Sequence, residues 1–517
     1  MLAGRSVAEL GGGRSLGYAG RLLRLAGAEV VKEEPAGGDP VREWPRSWAF
    51  LAEGKTFGST SGRKWAGRAP RPRPLSNDLR RDAALVAQGS PPPPGLPVVE
   101  VPVERDAALD WAASGAMALT GEADGPPRCS PGWQSAYVTG AAAAAALVAR
   151  LLPWWSGEDP LPPTDAPASL GWRAAAQGLT RHGRTSCGGS TRLFVVDGVD
   201  VAAGLPRPDD VALLEAWSRR PVSGDPWRAV ASGLARLGAA EGVERAQLLG
   251  LPFAAAASPH GAVAPAPFSW SGASAGAVRS DPPLVVDLTS LWAGPLCTAL
   301  LGRAGARVLR VEAPSRPDPT RWSAPALWQL LDDGKEHAAA DLATPDGRRA
   351  LRWLLERADV VVESSRPRVL DQLGLGPETL LAERPELLWV SITGYGRTGR
   401  GRDRVALGDD AATAGGIVAL TGSPGRTVFC ADAYADPVTG IHAAFGTLAA
   451  LASGRGGLLD VAMADVVGHL VADADKRAGA APVEPSDGGW VVVSDGGSEL
   501  VAPPRLARWR PRCSGGQ

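Results

Sequence analysis

The chain has little of what staples or metallates a fold. Its 517 residues include five cysteines (Cys129, Cys187, Cys297, Cys430 and Cys513), odd in number and without a Cys-x-x-Cys pair. That pattern argues against a disulfide framework or a zinc site and fits a reducing, cytoplasmic setting. Net charge is equally scarce, since 54 basic and 55 acidic side chains leave a formal −1. Bulk electrostatics therefore gives no case for nucleic acid or an anionic membrane as partner. Long hydrophobic runs are missing as well. The longest, Ala141–Trp155, is interrupted by Arg150 and falls short of the roughly 20 residues a membrane helix needs. It reads as a buried, alanine-rich helix. The N-terminus lacks the basic-then-apolar pattern of a signal peptide.

What is present is repetition. LAGAEVVKEEPAGGDPVREW (Leu25–Trp44) is echoed by RAGARVLRVEAPSRPDPTRW (Arg303–Trp322). ASGAMALTG (Ala113–Gly121) is echoed by TAGGIVALTG (Thr413–Gly422), and SAYVTGAAAAAALVARL (Ser135–Leu151) by ADPVTGIHAAFGTLAAL (Ala435–Leu451). Three matches in one order indicate a tandem duplication. The offset is 278 residues from Leu25 to Arg303 and 300 from Ser135 to Ala435, so the first copy is compressed in its middle, where Pro-rich sequence (Ser90–Pro97) stands. The copies part at one telling place: Asp436 precedes Pro-Val-Thr-Gly in the second, and Ala136 holds that place in the first. One working site and one scaffold are implied.

The second copy alternates short apolar runs with helical stretches. Leu284–Leu288, Arg307–Val311, Asp359–Glu363 and Leu387–Thr393 read as strands; Leu296–Ala304, Pro345–Arg357 and Pro377–Arg384 read as helices. Such alternation predicts an α/β fold with a doubly wound parallel sheet, whose ligands sit at the carboxyl ends of the strands. Trp172–Pro252 reads as a small α+β domain and Ala254–Asp281 as a linker. After Ala472 only one strand-like stretch, Gly489–Gly496, is expected. The resulting division is 1–165, 166–253, 254–281, 282–475 and 476–517.

The second copy closely resembles the class III CoA-transferases, the carnitine and bile-acid CoA-transferase family that also holds α-methylacyl-CoA racemases. The resemblance is carried by DLTSLWAGPLCTALLGRAGARVLRVEAP (Asp287–Pro314), DPTR (Asp318–Arg321), DDGKEHAAADLATPDGRRAL (Asp332–Leu351), ADVVVESSRPRVLDQLGL (Ala358–Leu375), VSITGYGRTG (Val390–Gly399), ADPVTG and GRGGLLDVAMAD (Gly454–Asp465). The first copy resembles the family in eroded form. The resemblance implies two tandem Rossmann-like large domains plus a small domain. It also implies transfer of CoA between carboxylic acids, with acyl-CoA and carboxylates as the small-molecule partners. No cofactor beyond CoA as substrate, no metal, no membrane and no nucleic acid are implied. The chain would be a monomeric pseudo-dimer or a homodimer.

Asp436 matches the family's catalytic aspartate. A carboxylate that attacks a thioester splits one exchange into easier acyl transfers. Helix-end placement would favour the anion while partial burial keeps it reactive. Read from spacing alone, Asp436 could equally be a helix N-cap, and Asp432 is a rival carboxylate. The resemblance assigns CoA contacts to Leu291, Trp292 and Ala293 in the turn after the first strand, and to Ser364, Ser365, Arg366 and Gln372 after the DVVVE strand. Arg366 would meet a phosphate. Lys335 matches a Gly-Lys turn but reads on its own as a solvated lysine. Gly183–Thr191, with Gly188 and Gly189, resembles the family's glycine loop over the acyl site. The histidine that racemases place near Leu407–Asp409 is absent from RVALGDDAATAGG, and His442 reads as a packed helix residue. A racemase or isomerase of the same superfamily, or a CoA-binding protein without turnover, are the alternatives.

Overall fold

The computed structural model describes residues 1–35, 38–43, 45–57, 82–90, 92–257, 266–272, 276–474 and 481–509. Parts of the Leu25–Trp44 repeat, of the Pro-rich segment and of the 254–281 linker lie outside the described residues, as does Cys513.

The first lobe contains β1 (Ser6–Leu10), α1 (Arg14–Leu25), β2 (Glu29–Glu33), α2 (Pro45–Ala52), β3 (Thr56–Phe57), β4 (Ala83–Ala87), β5 (Val98–Val101), α3 (Ala107–Ser114) and α4 (Gln134–Arg150). Its sheet is parallel, in the order β3-β2-β1-β4-β5. A small unit follows: α5 (Trp172–Gln177), β6 (Thr191–Val196), β7 (Val199–Gly204), α6 (Pro208–Ser218), α7 (Pro226–Leu248) and β8 (Phe253–Ala255), with β6-β7-β8 as an antiparallel sheet.

The second lobe begins with β9 (Ser269–Ser271). It continues with β10 (Leu284–Leu288), α8 (Ala293–Ala304), β11 (Arg307–Glu312), α9 (Thr320–Ser323), α10 (Pro325–Asp332) and β12 (Glu336–Ala339). Next come α11 (Pro345–Leu355), β13 (Val360–Glu363), α12 (Arg368–Asp371), α13 (Pro377–Glu383) and β14 (Leu388–Thr393). The lobe closes with α14 (Gly408–Ala414), α15 (Ile417–Leu420), α16 (Ala435–Ala452), β15 (Gly457–Ala462) and α17 (Met463–Leu470). The sheet order is β12-β11-β10-β13-β14-β15-β9. Its first five strands repeat the order of the first lobe, with β10 in the role of β1. The apolar runs of β13 and β14 are buried on both faces, as a covered parallel sheet requires.

Two sequence expectations are corrected here. The linker contributes a strand: β9 pairs antiparallel with Leu458–Asp460 of β15 and becomes the outermost strand of the sheet. The C-terminal segment forms three strands rather than one, β16 (Val483–Ser486), β17 (Gly489–Ser494) and β18 (Gly497–Leu500), in an antiparallel sheet. The Gly-Gly pairs at its turns, short and with few buried residues, gave only a weak strand pattern.

The lobes are joined through helices. α4 is buried along almost its whole length. Gly140 lets it cross α1, because a Cβ there would run into the Ser15 carbonyl, and Gly440 does the same for α16 over α8, with the Ala293 carbonyl 2.7 Å from a built Cβ. In the register of the third repeat Gln134 and Tyr434 are counterparts, and they bond to each other, the Tyr434 hydroxyl donating to Gln134 Oε1. A contact between counterparts is what a two-fold relation places on its axis.

A buried ion cluster recurs beneath each sheet edge. In the first lobe Glu9 binds Lys32 (2.5 Å) and Lys55 (2.7 Å), and Lys32 also binds Asp39 (2.8 Å). In the second lobe Asp287 binds Lys335 (3.0 Å) while Arg310 binds Asp318 (2.5 Å). The longer Glu9 is matched by Gly20, where any Cβ would strike its carboxylate; the shorter Asp287 is met by Thr298, whose hydroxyl donates at 2.6 Å. Lys335 is thus no solvated loop residue. Its ammonium is buried against Asp287, Thr298 and the Pro295 carbonyl.

Each lobe's trailing unit crosses to the other lobe. From the first half, the Phe429 amide donates to the Gly183 carbonyl (3.0 Å), Arg184 reaches Thr427 (2.8 Å) and Gln247 accepts from the Val405 amide (3.0 Å). From the C-terminal segment, the Ala502 amide donates to the Ala112 carbonyl (3.0 Å) and Arg505 to that of Ala113 (3.1 Å).

Candidate active site

Asp436 lies inside the first turn of α16, which starts at Ala435. It is therefore a helical residue and not the cap. The approach to it is strained. Ala431 (φ 55°), Ala433 (φ 45°) and Leu291 (φ 70°) account for three of the five non-glycine residues with left-handed φ among the described residues. Such conformations cost roughly 1–3 kcal/mol each and persist where the surroundings over-determine them. The amide of Ala293, at the start of α8, donates to the Asp436 carboxylate. Gly408, opening α14, sits so close that a Cβ there would collide with Asp436 Oδ2. Three chain segments thus converge on one half-buried carboxylate.

Its electrostatics are those of a carboxylate held out of water. Burial pushes Asp436 up to about 7, with Arg173 pulling down and Asp409 and Asp432 adding to the rise. Asp409 is itself raised to about 6 by burial, opposed by Arg173. It accepts from the Ala433 amide at 3.2 Å and bonds Ser186. Asp432 is paired to Arg173 through two hydrogen bonds, one of 3.0 Å from Nε. The rival carboxylate is thereby committed to an ion pair. Burial works against the Arg173 cation, and Asp432 outweighs it, so this guanidinium stays charged.

The structure brings Leu291, Ala293 and the glycine loop to this centre. Leu291 is partly exposed, and its amide donates to Asp318 at 2.9 Å. Gly188 packs against the Arg173 guanidinium, Gly189 turns at φ 77°, and Ser186 of the same loop touches Asp409. Trp292 differs from its expected role. It is 3% exposed and belongs to the hydrophobic core. Its indole packs in the apolar core rather than at the surface.

Ser364, Ser365 and Arg366 follow β13 at the carboxyl edge of the same sheet. The Ser365 hydroxyl is turned back on Glu363 (2.9 Å). Arg366 lies by Gly250, and its pKa is lowered by burial and by Arg368, Arg207 and Arg316 nearby. Mutually repelling guanidiniums gathered at a strand edge fit an anion. Arg207 comes from the small unit, so this cluster too is shared between halves. Gln372 is exposed just beyond α12. His442 is buried with both nitrogens engaged, by the Tyr18 hydroxyl (2.9 Å) and the Val438 carbonyl (2.7 Å).

Sequence reasoning did not single out Arg173 or Gly408. No local pattern marks Arg173, because its partner is 259 residues away. Gly408 had a readable signal in its neighbours, a glycine directly before two acidic residues.

Comparison with known proteins gives one consistent answer. A family model described as CoA-transferase family III matches residues 283–488. The chain is 35% identical over 189 residues to a succinyl-CoA–D-citramalate CoA-transferase of Chloroflexus aurantiacus, an alignment that takes in 34% of this chain and 47% of that protein. It is 34% identical over 214 residues to a succinate–glutarate CoA-transferase of Agrobacterium fabrum, covering 37% and 54%. Among solved structures, a CaiB/BaiF family protein from Brucella suis is 29% identical and superposes with a TM-score of 0.37 over 41% of this chain and 65% of that one. The chain spans about half the length of the curated relatives it matches.

Proposed function

We propose that the protein transfers coenzyme A between carboxylic acids, with Asp436 as the covalent nucleophile, a reading supported by the match of residues 283–488 to the model of CoA-transferase family III. The observation that carries this reading is the placement of Asp436: a half-buried carboxylate in a helix's first turn, bonded to the Ala293 amide and facing the Gly188 loop across Arg173. In the proposed cycle an Asp436 oxygen attacks the thioester carbonyl, the C–S bond breaks, and CoA leaves as thiolate. The thiolate then attacks the aspartyl carbonyl of the mixed anhydride. This frees the first carboxylate and leaves an aspartyl-CoA thioester. The acceptor carboxylate reverses both steps. The Ala293 amide supports the oxygen that gathers charge, and Arg173 favours the ionised nucleophile.

CoA would lie along the carboxyl edge of the second sheet, its phosphate end near Arg366, Arg368 and Arg207 and its thiol end near Leu291 and Asp436. The reading needs no metal and no redox cofactor. It places the protein in the cytoplasm as a fused pseudo-dimer, a duplication supported by the two matching sheet orders and the Gln134–Tyr434 contact. Among the described residues no helix is long and apolar enough to cross a membrane. Racemisation gains no support, since His442, the histidine closest in sequence to Asp436, spends both nitrogens on Tyr18 and Val438.

The test is exchange of CoA between a panel of acyl-CoA thioesters and free carboxylates. Turnover with at least one pair, abolished in Asp436→Asn, is expected. Near-normal exchange in that variant would overturn the assignment.

A further inference from the structure

We propose that the first lobe holds a separate binding site for a small carboxylate, a short-chain organic acid, at the N-terminus of α4. The site is the place where the first copy has lost its aspartate. A cavity of about 160 Å³ remains there, walled by Ser15, Ser135, Ala136, Thr139, Glu104 and, at its mouth, Arg505. A cavity of about 150 Å³ is enough to hold a molecule the size of benzene, so an acid of a few carbons fits.

Two independent features point to an anion. The first is the end of α4. No side chain caps this helix, and its first turn carries no acidic residue. α16 supplies its own carboxylate from the counterpart position, Asp436. Uncapped first-turn amides attract an anion. The second is Ser135. This residue is 4% exposed, lines the cavity, and its hydroxyl has no hydrogen-bond partner among the described residues. A buried hydroxyl left unpaired is costly, and a ligand oxygen would satisfy it. Arg505 adds a cation at the mouth. Its one hydrogen bond among the described residues goes to the Ala113 carbonyl, which leaves guanidinium donors for a ligand.

Glu104 also faces the cavity and sets the conditions of binding. Its carboxylate accepts from the amides of Arg14 and Ser15. It thus fills the start of α1, the counterpart of the α8 start that serves Asp436. Burial pushes Glu104 up, against those amides and the Arg14 charge. Asp110, the other wall carboxylate, is tied to Arg105 at 3.2 Å. α4 contributes only hydroxyls and Ala136 to this wall. A bound carboxylate therefore shares a proton with Glu104, and its affinity rises as pH falls. The inference uses lobe-one residues and Arg505 of the C-terminal segment, and is independent of the role given to Asp436.

The experiment is calorimetric titration of sodium propionate into the full chain carrying Asp436→Asn, at pH 6 and pH 8. One propionate per chain is expected, bound more tightly at pH 6. Ser135→Ala and Arg505→Gln should each weaken it by about three- to tenfold, and Ala136→Leu should block it by filling the cavity. Arg505 is exposed, so its variant leaves the fold intact. Absence of millimolar binding overturns the proposal, as does binding that Ser135→Ala and Arg505→Gln leave unchanged.

Discussion

The two lobes share a strand order, a glycine-mediated helix crossing and a buried ion cluster, yet they treat the start of the central helix differently. In the second lobe Asp436 rises from the first turn of α16 to meet the Ala293 amide. In the first, Ala136 leaves that position empty, and Glu104 reaches the α1 amides from the loop after β5. What the two lobes have in common is packing, and where they differ is the element that supplies the carboxylate. A helix pair can be held by Gly140 or Gly440 regardless of chemistry, whereas a nucleophile must be presented from one fixed turn. The first half has nonetheless not withdrawn from the site, since it lends Arg173 and the Gly188 loop to the other lobe.

The largest break of this comparison is Asp436→Asn. Exchange should fall by roughly 10³-fold or more, because the amide is a poor nucleophile of nearly the same shape. Adding Ala136→Asp should not restore it, since Glu104 already holds the α1 amides. Steady-state CoA exchange on the single and double variants checks both statements. The same Asp436→Asn change should stabilise the fold at pH 8. A carboxyl whose pKa is raised to about 7 is ionised and disfavoured above that pH, so removing it returns about 1–3 kcal/mol, an effect that fades as pH falls through 7. Denaturant melts at pH 5.5 and 8 read the difference.

The ion clusters sharpen the comparison from the side of stability. Lys335→Met leaves Asp287 buried without its partner, and Lys55→Met does the same to part of Glu9's pairing. Each should cost about 3–5 kcal/mol, with Lys335→Met the larger, because Glu9 retains Lys32 at 2.5 Å. Asp287 is depressed to about 2 because Lys335 and Arg310 outweigh its burial. Its contribution is therefore present above the unfolded carboxylate's pKa and is lost as pH falls toward 2. Urea denaturation of the two variants gives the ranking; equal losses would mean that Lys32 does not compensate Glu9 for the loss of Lys55.

Arg173→Gln carries the smallest expected effect and the most specific. It removes the charge from the first half that holds Asp436 down. The pH–rate profile, which should rise through about 7 in the parent chain, should shift upward by about one unit, with a drop in activity at pH 7 of about fivefold. A profile that keeps its midpoint would show that the first half supplies no charge to the site.

Much of this was legible along the second copy. Its strands are continuous apolar runs bounded by turns, and its β10–α8 turn and ADPVTG helix start are local in sequence. The crossings were not. Arg173–Asp432 and Arg505–Ala113 join segments hundreds of residues apart, and nothing local marks them. Lys335 was read as solvated because burial of a lysine is set by its partner, and Asp287 lies on a strand far from it in sequence. Trp292 was placed on the ligand side because a turn's sequence does not fix which way the helix after it rotates.

The central claim is that one lobe does the chemistry. It is tested most directly by incubating the full chain with a reactive acyl-CoA, quenching with hydroxylamine, and mapping the modified carboxyl by peptide mass spectrometry. The account predicts hydroxamate at Asp436 and none in residues of the first lobe. An unmodified Asp436, or a modified carboxyl at Glu104, would contradict it.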